Sequence, residues 1–137
     1  MAQNIKISVV TPEKEVVSDD AQIVMAPGSV GEFGVLSGHT PFLTSLKIGA
    51  VRYTDGKGKD QLIFVSGGFA EVLPDKVTIL AESAERRRDI DTARAKASME
   101  RAQKRLSGES SEDVDFIRAK AALERALHRI RLIETKS

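Results

Sequence analysis

The chain has 137 residues, of which 41% are hydrophobic and 30% are charged, and its formal net charge is +1. This length suits one or two compact domains, and no apolar run approaches the roughly 18 residues that a membrane-spanning helix needs. The sequence contains no cysteine, which excludes a disulfide-stapled scaffold and a thiol catalyst. The alternating N-terminus does not resemble a signal sequence, so we expect a protein on the cytoplasmic side.

The small net charge conceals two halves of opposite sign. Residues 1–85 carry 7 Lys and Arg against 11 Asp and Glu, whereas residues 86–137 carry 14 against 9. The first half also contains all 4 prolines and 9 of the 10 glycines, and the second is rich in Ala, Arg, Glu and Leu. This change of composition predicts a β domain over residues 1–85 and a helical domain over residues 86–137.

Six apolar or alternating runs in the first half predict strands of an antiparallel β-sandwich or barrel. These runs are residues 5–10, 21–26, 50–54, 61–66, 69–73 and 77–81. Turn-forming residues at 55–60 and 74–76 predict two hairpins. Gly28, Gly31 and Gly34 have the spacing of a phosphate-binding loop, but no helical sequence follows them. The sequence therefore favours a turn or a β-bulge at these glycines.

The hydrophobic period becomes helical from Asp89, which is a plausible N-cap. A first helix is predicted to end near Leu106. The break that follows predicts a left-handed cap at Gly108 and a new N-cap at Ser110 or Ser111.

A second helix is predicted to run to about Glu134, with Phe116 at the start of its apolar face. The short break makes the two helices an antiparallel hairpin. Alanine occupies many of the facing positions, so the hairpin buries little apolar area. We therefore expect it to be marginally stable and to lean on the β domain or on a partner.

The sequence offers no catalytic or metal-binding constellation. It contains no cysteine, no Gly-x-Ser-x-Gly elbow and only two histidines. The turn sequence around His39 favours contact with local backbone groups over a role as a base. There is no paired His or Cys spacing, and the Asp19–Asp20 pair lacks the further ligands of a calcium loop. We expect no metal and no required cofactor.

Arginine is abundant in the second half, and three interpretations are open. Nucleic-acid binding is disfavoured, because Phe116 is the only aromatic residue there and carboxylates are interspersed with the arginines. A solvated helix face is the simplest interpretation. More specifically, Asp91 and Arg94 can pair within a helix turn, whereas Arg125 and Arg129 present two guanidinium groups to one side. Such a pair can hold a phosphate or the carboxylates of a partner.

Three short sequence segments occur in a specific order along the chain. Two of them precede the predicted hairpin, and the third lies at its start. They are residues 27–41, 66–72 and 90–95, which read PGSVGEFGVLSGHTP, SGGFAEV and IDTARA. Over essentially the whole chain, this combination resembles the epsilon subunit of bacterial and chloroplast F-type ATP synthases. The resemblance implies a sandwich of about ten strands, a C-terminal helical hairpin, and a place in the rotor with the gamma subunit and the ring of c subunits.

The resemblance also implies a regulatory mechanism. The hairpin either folds against the sandwich or extends beside gamma into the alpha/beta catalytic hexamer, where it inhibits ATP hydrolysis. The chain would then be a non-catalytic coupling subunit, peripheral to the cytoplasmic face of the bacterial plasma membrane. The stromal face of the thylakoid is the alternative location, and a stand-alone nucleotide sensor without affinity for gamma is the alternative function.

Some bacterial members of this family bind ATP through an Ile/Leu-Asp-x-x-Arg-Ala motif with further charged residues. The matching positions in this chain are Glu85, Ile90, Asp91, Arg94, Ala95, Arg125 and Arg129. The resemblance therefore implies ATP as a regulatory ligand. Pairing of Asp91 with Arg94 is the alternative use of the motif.

The resemblance implies that the loop of residues 31–41, within the first segment, contacts the ring of c subunits. The residues matched there are Gly31, Glu32, Phe33 and His39. Simple turn formation is the alternative role for these four residues.

Overall fold

The computed structural model describes residues 3–108 and 113–135. The described strands are β1 (Ile5–Val10), β2 (Glu15–Gly28), β3 (Gly31–Val35), β4 (Phe42–Asp55), β5 (Asp60–Val72), β6 (Lys76–Ala81) and β7 (Ala84–Arg86). A single 3₁₀ turn, Arg87–Asp89, leads from β7 to the helices α1 (Thr92–Ser107) and α2 (Asp113–Glu134). The predicted order of a β domain followed by a helical hairpin is confirmed.

The strands form a sheet that curves back on itself. Its order is β1-β6-β5-β4-β2-β3, and β1 pairs with β2 as well as with β6. The β1–β6 pairing is parallel, and the other pairings are antiparallel. β2 and β4 have 14 residues each and β5 has 13, so one long strand can supply two segments of the sandwich. This explains why the described residues form fewer strands than the family resemblance implies.

Both predicted hairpins are confirmed, since Thr54 pairs with Asp60 and Val72 pairs with Val77. The predicted runs at 61–66 and 69–73 are one continuous strand, β5. Strand β3 and strand β7 were not predicted. The turn assigned to the glycines is correct for Gly28 and Gly31, which pair across a tight hairpin, but β3 continues through both Gly31 and Gly34.

The start of the helical domain differs from the prediction. Asp89 belongs to the 3₁₀ turn, and Asp91 is the N-cap of α1, where its Oδ1 accepts the backbone N–H of Arg94 at 3.0 Å. The helix begins later because Ile90 is extended and buried at 8% exposure. The left-handed cap at Gly108 is also wrong, since its φ is −91°. Ser110 and Ser111, the predicted caps of the second helix, lie outside the described residues.

Two apolar clusters organise the molecule. The main core lies inside the sandwich and includes Ile5, Val24, Val51, Ile63 and Ile79, all fully buried. A smaller cluster, here called the docking cluster, consists of Phe64, Ile90 and Leu132. It joins β5, α2 and the linker, which is here defined as residues 87–91 between β7 and α1. The hairpin therefore leans on the sandwich, as its composition predicts.

The two helices meet through small side chains. Ala95 and Ala102 of α1 are 3% exposed, and Ala119 and Ala126 of α2 are 1% and 0% exposed. Phe116, which the periodicity places on the apolar face of the second helix, is instead 52% exposed. The alanine contacts allow close approach but bury little area, so the docking cluster supplies the large apolar contacts of the hairpin.

Candidate functional site

A cleft of about 300 Å³ lies between the linker, α1 and α2, and is here called the hairpin cleft. Its lining residues are Glu85, Asp89, Asp91, Arg94, Ala95, Ser98 and Arg129. The chain thus brings together most of the residues that the ATP motif implies, although they come from β7, the linker and both helices. The cleft offers guanidinium donors and carboxylate acceptors, a set suited to binding a charged polar ligand.

Arg129 is the central side chain of the hairpin cleft. Its Nη2 lies 2.8 Å from Oε1 of Glu85, and its Nε donates to the same oxygen at 3.0 Å. The guanidinium carbon also lies 4.3 Å from the ring centroid of Phe64. The two partners of the ion pair are only 22% and 32% exposed. Arg129 therefore ties α2 to both β7 and β5 through an ion pair and a cation–π contact.

Asp91 and Arg94 play separate roles. The Asp91 carboxylate caps α1 through the backbone N–H of Arg94, so the alternative of an Asp91–Arg94 ion pair is wrong. Across the described ranges, the ion pairs are Lys6–Asp20 and Arg129–Glu85. The exposed Arg94 guanidinium consequently has no carboxylate partner among the described residues, and it lines the cleft beside Arg129.

Two residues implied by the motif lie elsewhere. Ile90 is buried in the docking cluster, where it fixes the path of the linker. Arg125 is half-buried on α2, one turn before Arg129, and does not line the hairpin cleft. The structure therefore places Arg129 but not Arg125 in this cleft.

Sequence reasoning missed Asp89 and Ser98 as lining residues. Ser98 lies four positions after Arg94, so the helical period alone places the two on one face of α1. Asp89 was predicted to be the N-cap of the first helix because the sequence of the 3₁₀ turn has no recognisable pattern. The Glu85–Arg129 contact joins residues 44 positions apart, which no local spacing could reveal.

Two of the residues implied to contact the ring of c subunits, Phe33 and His39, lie against the aromatic ring of Phe42. The Phe33 ring meets it edge-on at a centroid distance of 5.2 Å, and the His39 ring lies at the same distance. His39 Nδ1 is 2.7 Å from the Thr40 carbonyl oxygen, which is the local backbone contact that the sequence predicts. Gly31 and Glu32 are exposed on β3, so Glu32 presents a carboxylate at the surface.

His128 is a half-buried residue of α2. Burial lowers the pKa of this imidazole, and the nearby positive charges of Arg131 and of Lys47 on β4 lower the pKa further, against an opposing effect of Glu124. The lowered pKa favours the neutral form of the ring. A neutral ring adds no positive charge to a helix face that already carries several arginines.

The described ranges contain no group of three or more His, Cys, Asp or Glu side chains that is arranged to hold a metal ion. Neither helix, as far as it is described, combines the length and the apolar character that crossing a bilayer requires.

Two family models match the chain and together span most of it. The model for the ATP synthase delta/epsilon chain β-sandwich domain matches residues 4–87, and the model for the long α-helix domain of the same chain matches residues 88–134. The ATP synthase epsilon chain of Desulforapulum autotrophicum is 62% identical over 136 residues, which cover 99% of this chain and 100% of the relative. The epsilon chain of Desulfosudis oleivorans is 68% identical over 106 residues, covering 77% and 80%.

A chain in the solved structure of the Euglena gracilis mitochondrial ATP synthase has the same fold, with a TM-score of 0.80 and 23% identity. The match covers 93% of this chain and 79% of that chain. The two family models and the relative that is 62% identical over its whole length show that this chain belongs to the epsilon-chain family of ATP synthase subunits, which confirms the prediction of a structural and regulatory subunit that is not itself an enzyme.

Proposed function

We propose that this chain is a rotor subunit of an F-type ATP synthase that regulates ATP hydrolysis through its hairpin. The sandwich holds the gamma subunit and the ring of c subunits at the cytoplasmic face of the bacterial plasma membrane. The hairpin rests on the sandwich in one state and enters the alpha/beta catalytic hexamer in the other. ATP in the hairpin cleft favours the first state.

The observation that carries this proposal is the origin of the residues that line the hairpin cleft. Glu85 belongs to β7, Arg94 to α1 and Arg129 to α2, so the cleft is complete only while the hairpin is docked. A ligand that contacts all three elements binds the docked state better than any state in which they separate. ATP is the ligand that the matched motif implies.

Two of the three carboxylates in the hairpin cleft are already engaged within the chain, which makes the cleft more compatible with an anionic ligand. Glu85 is paired with Arg129, and Asp91 caps the N-terminus of α1. Arg94 is then the cation available to a phosphate group. Arg129 uses two of its five N–H donors on Glu85, and it keeps others for a ligand.

The free energy that stabilises the docked hairpin is small enough for ligand binding to change the population of the docked state. The docking cluster has three buried side chains, each contributing roughly 1.5 to 3 kcal/mol. Moving a two-state equilibrium from 1:99 to 99:1 needs about 5.5 kcal/mol of differential binding. A nucleotide with several charge-assisted hydrogen bonds can supply much of this difference.

The sandwich, and not the hairpin, should anchor the chain to the rotor. A chain truncated after Arg88 keeps the whole main core, so we expect it to bind gamma as the full chain does. Capture of the truncated chain on immobilised gamma measures this, with circular dichroism to verify the β fold. A folded truncated chain that no longer binds gamma contradicts the division of labour. Failure of the full chain to bind gamma would favour the stand-alone nucleotide sensor.

Glu32 should couple rotation to proton flow at the ring of c subunits. Because Glu32 is exposed, Glu32→Lys reverses its charge without disturbing the core, and it should reduce ATP-driven proton pumping per ATP hydrolysed. Pumping and hydrolysis in membrane vesicles give this ratio. Glu13→Lys, an equal charge change at another exposed position, is the matched control. Normal coupling in Glu32→Lys would leave turn formation as the only role of this residue.

A further inference from the structure

A second and larger cleft of about 550 Å³ lies on the linker between the sandwich and the hairpin, and is here called the linker cleft. Its lining residues are Lys59, Asp60, Gln61, Leu62, Arg86, Arg87, Arg88, Ile90, Thr92 and Ile133. It shares no lining residue with the hairpin cleft. The Arg86–Arg88 run, which the proposed regulatory function does not use, forms one wall.

The charge of the linker cleft is strongly one-sided. Lys59, Arg86, Arg87 and Arg88 face a single carboxylate, that of Asp60. The hairpin cleft, by comparison, has two arginines and three carboxylates. The linker cleft is therefore the better site for a multiply charged anion, because the cations are not balanced by acidic neighbours in its lining.

Two of these arginines are held in place by backbone carbonyl groups. Arg86 Nε donates to the carbonyl oxygen of Val16 at 3.2 Å, and Arg87 Nη2 donates to that of Ile133 at 3.0 Å. Both arginines are only half-exposed. A guanidinium has five N–H donors, so each keeps others for a ligand while its position is fixed. Pre-positioned guanidinium groups lose less entropy when they bind a phosphate.

The remaining walls add two features that suit a phosphorylated ligand. Thr92, the first residue of the 16-residue helix α1, lies at the cleft, and the first turn of this helix contains no acidic residue. The Asp91 carboxylate already caps this end of the helix, so the polar group that α1 offers to the cleft is the Thr92 hydroxyl and not the helix dipole. Leu62, Ile90 and Ile133 give the cleft an apolar side. An anion with an apolar portion would find contacts for both parts.

We propose that the linker cleft is a second anion site, separate from the hairpin cleft, that binds a pyrophosphate group. Four cations against one carboxylate match a ligand with several negative charges better than a single phosphate. The pyrophosphate group can come from inorganic pyrophosphate or from a nucleoside diphosphate. The walls belong to the β4–β5 hairpin, the linker and the end of α2, so an occupied cleft also stabilises the docked hairpin.

Calorimetric titration of the full chain with inorganic pyrophosphate, ADP and inorganic phosphate at constant ionic strength tests this site. Pyrophosphate should bind at least about tenfold more tightly than phosphate, because it can accept more charge-assisted hydrogen bonds. Lys59→Ala with Arg88→Ala removes two exposed cations and should weaken pyrophosphate binding about tenfold. The control Lys96→Ala with Lys104→Ala changes the net charge equally on an exposed face of α1 and should bind normally.

The variants also separate the two clefts. Arg94→Ala, which alters only the hairpin cleft, should keep wild-type affinity for pyrophosphate. Tighter binding of ADP than of pyrophosphate would support a nucleotide as the source, and equal binding would support the inorganic ion. The proposal is overturned if pyrophosphate does not bind, if the control pair loses as much affinity, or if Arg94→Ala abolishes binding. Because ATP sensing is tested by a different residue, either proposal can fail without the other.

Discussion

An Arg94→Ala chain should bind ATP at least about tenfold more weakly than the wild-type chain. Arg94 lines the hairpin cleft with an exposed guanidinium and has no carboxylate partner among the described residues. A hydrogen bond between charged groups is worth roughly 1.5 to 3 kcal/mol, and about 1.4 kcal/mol corresponds to a factor of ten. The Asp91 cap uses the Arg94 backbone N–H, so alanine keeps the helix start. Titration of the isolated chain with ATP measures the change.

The double variant Arg125→Ala with Arg129→Ala should weaken ATP binding further. Arg129 contributes to the cleft and also pairs with Glu85 and stacks on Phe64, so its loss loosens the docked hairpin as well. Both Arg94→Ala and the double variant should therefore inhibit ATP hydrolysis more strongly at a given ATP concentration. Arg105→Ala, an exposed arginine near the end of α1 that lines neither cleft, is the matched control.

An opposite pattern would identify a different role for these arginines. If they act only on acidic residues of the beta subunit, their removal relieves inhibition and leaves the ATP affinity of the isolated chain unchanged. Affinity and hydrolysis measured on the same variants separate the two roles. Unchanged affinity combined with relieved inhibition would contradict ATP sensing in the hairpin cleft.

Gly68→Ala should destabilise the sandwich severely, by about 3 kcal/mol or more. Gly68 lies in β5 with a φ of +129°, which L side chains rarely adopt. A Cβ there would collide with the Leu80 carbonyl oxygen and lie 2.9 Å from the Cα of Ala81. Both atoms belong to the backbone of β6, which is held by β5 on one side and by β1 on the other. The neighbouring strand therefore cannot move aside without loss of its own pairing.

Gly58→Ala is the matched control, because Gly58 also has a positive φ, of +83°, but an added Cβ would meet nothing within 4 Å. The strain of the backbone alone costs about 1 to 2 kcal/mol. Urea denaturation of the two variants should thus show a clearly larger loss for Gly68→Ala. Equal losses in the free energy of unfolding would mean that shifts of neighbouring atoms remove the collision with β6. Gly67 and Gly68 lie between the two runs that were predicted as separate strands. Their positive φ explains why glycine occupies these positions within the continuous strand β5.

The sequence was informative where one local pattern decides the structure. The composition changes near residues 85–89, where the structure passes from β7 to the helices. Runs with β-branched residues predicted β1 and β6 closely. Strand β3 was missed because Gly31 and Gly34 resemble turn residues, and β7 was missed because its three residues are half-buried and mostly polar. Both short strands are specified by their pairing partners, which a local pattern does not contain.

The hairpin cleft likewise depends partly on local spacing, which the sequence shows, and partly on contacts between residues that are distant in the sequence. The helical period places Arg94, Ala95 and Ser98 near one another, so their neighbourhood follows from spacing. The ion pair of Glu85 with Arg129 and the stacking on Phe64 depend on how α2 lies on the sandwich. The linker cleft was not anticipated at all. Its arginine run looks like a solvated face until the β4–β5 turn, the start of β5 and the end of α2 are placed around it.

A distance measurement on the assembled ATP synthase tests the docked and extended states most directly. The chain has no cysteine, so two can be introduced for spin labels at Lys57 and Lys120, which are exposed and line neither cleft. Saturating ATP should give one short distance, and ATP depletion should add a longer population. In Arg94→Ala, the longer population should persist at ATP concentrations that remove it from the wild-type chain. A distance distribution that is the same with and without ATP would contradict a hairpin controlled by ATP.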